Sequence, residues 1–359
     1  MRVERPWEAY RLMMQVRALS RLPPNARLPR LPEDEQVLLD RLSEAEDPVK
    51  WLEQTSRRTI AGVVLWRALK DLQTYLRGSY RAWQSGQNIH LRLGAPPDLS
   101  EKVQEVLQPL DHTRPTAIPL ETLKIILEKL RLYYQDEAFR KYIADQEDLS
   151  VLIELLSLPK QVDEVAYIVE RYAHIGAIET IRYLVSRVIP PLASLVEPSM
   201  RVLYPNRSSS ANGYRVTLRE VATGRSGFAI TLEATITESL FRLPDEIVLM
   251  AVRWGGAEQI LDDQGYHYLV CYALEDHVGH GRTRHMKLRL LCFPAISETA
   301  SQITLVIDHM SFSGIGFQAG PEIQQPHQHY VLQARSRLTW SVDVSRKDVW
   351  RLRPWKALI

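Results

Sequence analysis

The sequence predicts an α+β protein in which an all-helical N-terminal region is followed by an antiparallel β-sandwich. Three observations carry this prediction. Apolar residues recur every three to four positions up to about residue 204, as in amphipathic helices. The stretch YPNRSSSANGY at 204–214 offers almost nothing to bury, and beyond it apolar residues recur at every second position, as in half-buried strands.

Leucines mark the first helices. The segment LWRALKDLQTYL has them at spacings of four, three and four, on one helical face: Leu65, Leu69, Leu72 and Leu76. LETLKIILEKLRLYY repeats the pattern with Leu120, Leu123, Leu127 and Leu130. Asp47 before Pro48 predicts a helix N-cap with proline at the first helical position. PPNARLPRLP at 23–32 predicts an extended connector, since its prolines exclude a helix.

Between 120 and 204 the predicted helices are short and closely spaced. One apolar stripe ends near Gly176, which we interpret as a C-terminal cap, and the next runs from Ile178 to Val188 before Pro190. Paired helices of this length resemble HEAT or armadillo-type hairpins. No motif repeats at a fixed period, so a plain helical bundle is an equal alternative.

About eight strands are predicted after residue 212, among them ITLEATITES, MKLRLLCF and LTWSVDV. Their alternation, separated by turn residues, is typical of an antiparallel sandwich. The pattern resembles the immunoglobulin-like accessory domains of many bacterial multidomain proteins, without the Cys…Trp…Cys signature of true immunoglobulin domains. The predicted organisation is a basic arm and connector (1–32), a helical domain (33–204), a linker (205–213) and the sandwich (214–359).

Composition favours a soluble protein of a reducing compartment, and we predict a cytoplasmic location. The net charge is +2, with 17 Lys and Arg against 15 Asp and Glu from residue 205 onward, so neither part has the basic excess of a dedicated nucleic-acid binder. There is no signal-peptide pattern, no apolar run long enough to cross a membrane and no cysteine-rich framework. We therefore expect no membrane partner.

Three histidines are the strongest hint of a metal site. His277, His280 and His285 fall within LEDHVGHGRTRHMKLRL, two of them with H-x-x-H spacing. A closed zinc site requires four ligands, and no further ligand spacing is present. We interpret 275–285 as a solvated loop between two strands, and predict no bound metal or cofactor.

Other motifs also favour structural interpretations. GIGFQAG at 314–320 has a G-x-G-x-x-A pattern, but no helix can follow it as a dinucleotide site requires, so we predict a glycine-rich turn or bulge. LDDQG at 261–265 predicts a hairpin tip. Cys271 and Cys292 lie within strand patterns and are expected to be small buried residues.

Both ends of the chain carry arginines beside aromatic residues. The C-terminal candidates for partner or nucleic-acid binding are Trp350, Arg351, Arg353, Trp355 and Lys356. The N-terminal candidates are Arg2, Arg5 and Arg11. The structural alternative is that the tryptophans cover the sandwich core while the basic side chains reach outward to solvent.

The leading functional hypothesis is a non-catalytic interaction protein, an adaptor or regulatory subunit of a multi-protein assembly. No Walker A, H-E-x-x-H, G-x-S-x-G or C-x-x-C motif occurs, which lowers the expectation of an enzyme without excluding one. The first alternative is a nucleic-acid-binding accessory subunit that uses the basic ends. The second is a metal-dependent hydrolase that uses the histidines between His277 and His285.

Overall fold

The computed structural model combines α-helices with a curled antiparallel sheet, so the predicted α+β class is confirmed. It describes residues 6–84, 97–195, 201–211, 214–237, 247–280, 283–318, 328–333, 337–346 and 350–352. The chain divides into two compact units. A helical unit contains Ala45–Tyr183, and a sheet unit contains Arg5–Glu44 together with Leu184–Ile359. In this division, 6–44 group with the strands.

Seven α-helices begin within the described part of the helical unit. They are α3 (Pro48–Thr55), α4 (Arg57–Gln84), α5 (Pro97–Leu107), α6 (Leu120–Tyr133), α7 (Glu137–Ala144), α8 (Ser150–Leu156) and α9 (Glu164–Val188). The predicted cap of α3 is confirmed: the Asp47 carboxylate accepts the backbone N–H groups of Val49 and Lys50, both at 3.1 Å. The predicted leucine stripes of α4 and α6 are buried, apart from the partly exposed Leu120.

Gly176 does not end a helix, so the prediction of a C-terminal cap is wrong. It lies inside α9, where a Cβ atom would come 2.7 Å from Cγ2 of Ile60 and 2.8 Å from Cγ2 of Val64. Glycine thus permits α9 to pack closely against α4. A glycine that serves close packing has the same local signature as one that ends a helix.

The sheet unit has three helices and eleven strands in its described part. The helices are α1 (Pro6–Leu19), α2 (Glu33–Glu44) and α10 (Leu192–Leu195). The strands are β1 (Arg201–Leu203), β2 (Arg207–Ala211), β3 (Tyr214–Thr223), β4 (Phe228–Thr237), β5 (Ile247–Asp262), β6 (His267–His280), β7 (Thr283–Phe293), β8 (Gln302–Gln318), β9 (Gln328–Gln333), β10 (Leu338–Asp343) and β11 (Arg351–Leu352).

All strand pairs are antiparallel, in the order β10-β8-β5-β6-β7-β4-β3-β1-β11, with β2 on β3 and β9 on β8. Six strands separate β10 from β2, which in a flat sheet would place them roughly 34 Å apart. Instead Trp340 Nε1 donates to the Arg207 carbonyl at 3.1 Å, and Arg207 Nη1 donates to the Ser341 carbonyl at 2.5 Å. The sheet therefore curls until its two ends meet.

Apolar residues are buried on both faces of the sheet. One core cluster takes residues from β3, β4, β7, β8 and β10, including Phe228, Ile230 and Trp340. A second cluster uses the alternate positions, such as Ala229 and Leu291, which are covered by Ala18 of α1 and Leu195 of α10. This second cluster explains why α1 is part of the sheet unit.

Two segments predicted to be irregular contain strands. The predicted linker at 205–213 contains β2, which pairs with β3 over five positions. GIGFQAG was expected to form a glycine-rich turn or bulge, and its first five residues lie within β8 instead of a turn. The β5–β8 register does shift here, between Leu249 opposite Gly316 and Ala251 opposite Ile315, which is an irregularity of the bulge type. Residues 319 and 320 lie outside the described part.

Candidate functional site

The outward face of α6 is the candidate interaction surface of the helical unit. The inward face is fixed by Leu123, Ile126, Leu127 and Leu130, all buried. Ile125 and Leu132 lie seven residues apart on the opposite face, and their exposed fractions are 57% and 68%. Glu121 and Glu128 share this face, because residues three, four and seven apart are neighbours on a helix. We call these four residues the α6 stripe.

Ile125 and Leu132 are the two most exposed large apolar residues in the described part of the chain. Single exposed aliphatic residues are common on protein surfaces. Two of them aligned on one helix form an apolar strip. A partner that covers this strip removes apolar surface from water, which stabilises the complex. We therefore take the α6 stripe as the candidate site.

Ion pairs hold α6 in a defined orientation. The Arg131 guanidinium contacts Glu128 on the same helix, donates to the Leu155 carbonyl at 3.2 Å and lies 2.8 Å from a Glu164 carboxylate oxygen. At the start of α6, Glu121 lies 3.5 Å from Arg58. The acidic members of the stripe are thus paired with arginines, and its character is apolar with a polar border.

The helical period alone does not identify the α6 stripe. The sequence of α6 does contain an indication of this surface, since Ile125 and Leu132 fall outside the face defined by Leu123, Leu127 and Leu130. Which apolar residues remain uncovered depends on packing, and the helical period does not contain that information.

The predicted N-terminal site residue Arg11 forms a part-buried ion pair with a fully buried carboxylate within the sheet unit. Its guanidinium makes three hydrogen bonds of 2.9–3.0 Å to the carboxylate of Glu258 on β5. The Glu258 side chain is 0% exposed and that of Arg11 is 30% exposed. Arg2 and Arg5 lie outside the described residues.

Helix α1 fills the place where β5 and β6 separate. These strands pair only at Ile260–Tyr268 and Leu261–His267, next to their hairpin. Gln15 of α1 donates to the Val270 carbonyl of β6, and the His267 backbone N–H donates to the Arg21 carbonyl at 2.8 Å. A side chain of α1 and the backbone carbonyl of Arg21 therefore supply hydrogen-bond partners to backbone groups of β6.

A cavity of about 10 Å³ lies beneath α1, between Gln15, His267 and Tyr268. It is large enough for one water molecule. Burial, reinforced by the positive charge of Arg21, lowers the pKa of His267, although Asp262 acts in the opposite direction. Burial also raises the pKa of Tyr268. The polar groups around the cavity stabilise the packing of α1 against the sheet. A cavity of this volume has no room for a substrate.

The predicted C-terminal site is described only in part. Trp350 packs against the larger core cluster and donates from Nε1 to the Val344 carbonyl at 3.3 Å. Arg351 is exposed and belongs to β11, which pairs with β1. This placement agrees with the structural alternative for Trp350, while Arg353, Trp355 and Lys356 lie outside the described residues.

The prediction of a solvated loop over 275–285 is wrong. Strand β6 continues to His280 and β7 begins at Thr283, because the two strands stay paired as far as His280 and Thr283. His277 is in register with Met286, whereas His285 is in register with Val278. Since successive strand positions belong to opposite faces, the backbone does not bring the three histidine positions to one face. His285 Nδ1 lies 3.3 Å from Thr235 Oγ1.

Across the described ranges, no three His, Cys, Asp or Glu residues form a group that could hold a metal ion. In the same part of the chain, no helix is both long and apolar enough to cross a bilayer.

The remaining motifs have structural roles. LDDQG forms the predicted hairpin tip between β5 and β6: Gly265 has φ +82°, and the Asp262 carboxylate accepts the N–H groups of Gln264 and Tyr266, each at 3.0 Å. Cys292 is fully buried and Cys271 partly buried, and both thiols are free. Burial raises the pKa of Cys271 to about 12, so this thiol is a poor nucleophile.

No protein-family model and no curated protein matches the chain. Among solved structures, the crystal structure of the conserved domain protein from Bacillus anthracis aligns with 11% sequence identity and a TM-score of 0.24. The alignment covers 41% of this chain and 47% of that protein, so it spans about half of its length. A likeness of this size carries no argument about fold or function.

Proposed function

We propose that the protein is a non-catalytic interaction protein, an adaptor or regulatory subunit, and that a protein partner binds the α6 stripe. The observation that carries the proposal is the alignment of Ile125 and Leu132 on the outward face of one helix. The partner that fits this strip is an amphipathic helix that lays its apolar face along α6, with polar residues on either side of the contact.

The exposed area sets the size of the effect. Full burial of a Leu or Ile side chain is worth about 1.5–3 kcal/mol. Because more than half of each side chain is exposed, covering both contributes about 2–4 kcal/mol. Aspartate at both positions also places charges in an apolar contact. Replacing Ile125 and Leu132 by aspartate should therefore weaken binding at least tenfold, which corresponds to about 1.4 kcal/mol.

The test compares the full chain with the double variant Ile125→Asp/Leu132→Asp. Each is immobilised and exposed to native lysate of the source organism. Val37→Asp is the matched control, because Val37 is an exposed aliphatic residue of α2 with no place in the stripe. We expect a protein that is retained by the parent chain and by the control, and reduced at least tenfold by the double variant.

Retention of the same proteins by all three chains would contradict the proposal, as would retention of none. Light scattering measures the oligomeric state of the parent chain and of the double variant. If the substitutions convert an oligomer into a monomer, the α6 stripe binds a second copy of this chain and the external partner is rejected. Circular dichroism establishes that the variants are folded.

Binding of nucleic acid through the basic ends remains a prediction. Phosphate contacts release counterions, so such binding must weaken steeply with salt. Retention on DNA at low salt, compared with a chain truncated before Ser345, tests it.

We also propose that the curled sheet is a sandwich of two facing layers, with immunoglobulin-like character. Support comes from the scarce pairing between β5 and β6 and from the core cluster shared by β3, β4, β8 and β10. An experimental structure in which the two groups of strands do not stack about 10 Å apart would contradict it.

The cytoplasmic location is part of the same proposal. It rests on the two cysteines of the chain, which are both free. Cell fractionation tests it directly.

A further inference from the structure

The connector between α1 and α2 contains three Arg-Leu-Pro triplets, at 21–23, 27–29 and 30–32. Residues 26–32 form no helix, strand or turn. Proline fixes φ near −65° at 29 and 32, and the residue before a proline is restricted to extended or polyproline conformations. Four of the six residues from 27 to 32 are therefore pre-set for an extended backbone by their own covalent structure.

Both ends of this segment are anchored to the sheet unit. Leu22 and Ala26 pack against the second core cluster, and Asn25 Nδ2 donates to the Ala295 carbonyl at 3.2 Å. On the other side Leu31 is buried, and the Pro32 carbonyl accepts the Gln36 N–H at 2.8 Å in the first turn of α2. Residues 27–30 are thus held between two fixed points.

The residues between the anchors face solvent. Arg27, Pro29 and Arg30 are exposed, and Leu28 is 39% exposed. Within the described part of the chain, neither arginine forms an ion pair, and the N–H groups of 27–31 donate to no backbone oxygen. This short segment therefore presents apolar, cationic and backbone hydrogen-bonding groups to a partner.

We infer that Arg27–Pro32 is a preformed recognition segment for a protein partner whose groove is lined by aromatic residues and bordered by carboxylates. Polyproline-type ligands dock in aromatic grooves, and their extended backbone loses little entropy on binding. The carboxylates follow from charge complementarity, since arginine forms strong charge-assisted hydrogen bonds with them. This site lies on a different unit from the α6 stripe and goes beyond the proposed function.

Two arginines are too few to make this segment a phosphate-binding surface. Affinity for nucleic acid grows with the number of phosphate contacts, and proteins that bind DNA through its backbone commonly use roughly 6–10 of them. The exposed Leu28 and Pro29 side chains add apolar contacts that a phosphate backbone does not use. A protein groove uses both kinds of group.

The experiment replaces Leu28 in the full chain by the photo-reactive residue p-benzoylphenylalanine and irradiates the chain in native lysate of its source. We expect a cross-linked protein whose yield falls at least tenfold when Arg27→Glu and Arg30→Glu are introduced together, and also when Pro29→Ala is introduced. The control is Arg140→Glu/Lys141→Glu, which changes the net charge equally at exposed residues of α7. Its yield must stay within twofold of the parent.

The captured protein is then purified and titrated with the full chain. Saturable binding that Pro29→Ala in the full chain weakens at least tenfold supports the inference. Absence of a cross-linked protein, equal yields in all variants, a product sensitive to nuclease or lipid extraction, or a captured protein that does not bind the purified full chain would each overturn it. Ile125→Asp/Leu132→Asp must leave the yield unchanged, so failure here is distinct from failure at the α6 stripe.

Discussion

Replacing Arg11 by methionine tests whether α1 is an integral part of the sheet unit. Methionine keeps an unbranched apolar stem and removes the guanidinium that binds Glu258. The Glu258 carboxylate, which is 0% exposed, then loses the cation that makes three hydrogen bonds to it. A buried charge without its partner is among the most destabilising changes known in proteins.

The expected loss of free energy of unfolding is about 3–5 kcal/mol, the usual cost of breaking a buried ion pair by removing one partner. For a unit of roughly 200 residues, each kcal/mol lowers the melting temperature by about 2–4 °C, so we expect a decrease of about 6–20 °C. The double variant Arg11→Met/Glu258→Leu replaces the pair by apolar groups and should recover most of this loss, since such replacements are often neutral.

Thermal unfolding followed by circular dichroism in the β-sheet region measures the effect. Arg219→Met is the matched control in the same unit, because Arg219 and Glu233 form an exposed pair at 2.6 Å, which is worth at most about 1 kcal/mol. If Arg11→Met and Arg219→Met lower the melting temperature equally, the reasoning about α1 is refuted. A double variant no more stable than Arg11→Met would refute the buried-charge argument alone.

Three further predictions concern packing, pH and thiol chemistry. Gly176→Ala should lower the free energy of unfolding, measured by urea titration, by about 1–3 kcal/mol through overpacking, whereas Gly62→Ala should raise it by up to about 1 kcal/mol, because there the nearest atom to an added Cβ is 3.9 Å away. Changes of the same sign in both variants would contradict this prediction. Because the pKa of His267 is lowered in the folded protein, the unfolded chain binds more protons below about pH 6.5, and the free energy of unfolding falls as the pH drops from there. His267→Gln should reduce this dependence of the free energy of unfolding on pH, and an unchanged dependence would contradict the prediction. At pH 8 a thiol reagent should label Cys271 slowly and Cys292 only after unfolding, and rapid labelling of both in the folded protein would show that their burial is misjudged.

The two proposed surfaces have different physical origins. The α6 stripe is an apolar strip with an acidic border, on a helix whose opposite face is buried. The segment Arg27–Pro32 presents cations on an extended backbone anchored at both ends.

Local residue patterns were enough to predict the kind of secondary structure along most of the chain. The change of apolar period near residue 205 separates helices from strands, and the leucine stripes of α4 and α6 mark their buried faces correctly. Local chemistry also sufficed for the Asp47 cap and the Asp262 hairpin, because a cap or a tight turn is completed within a few residues.

Tertiary structure decided everything that depends on partners distant in the chain. Arg11 reads as one member of a free basic arm, yet its partner Glu258 lies 247 residues away. Gly176 reads as a helix end until α4 is placed beside it. Period and propensity tell which side of a segment is apolar, but not which segment will cover it. For the same reason the exposure of Ile125 and Leu132, on which the proposed function rests, was decided only when α6 packed against its neighbours.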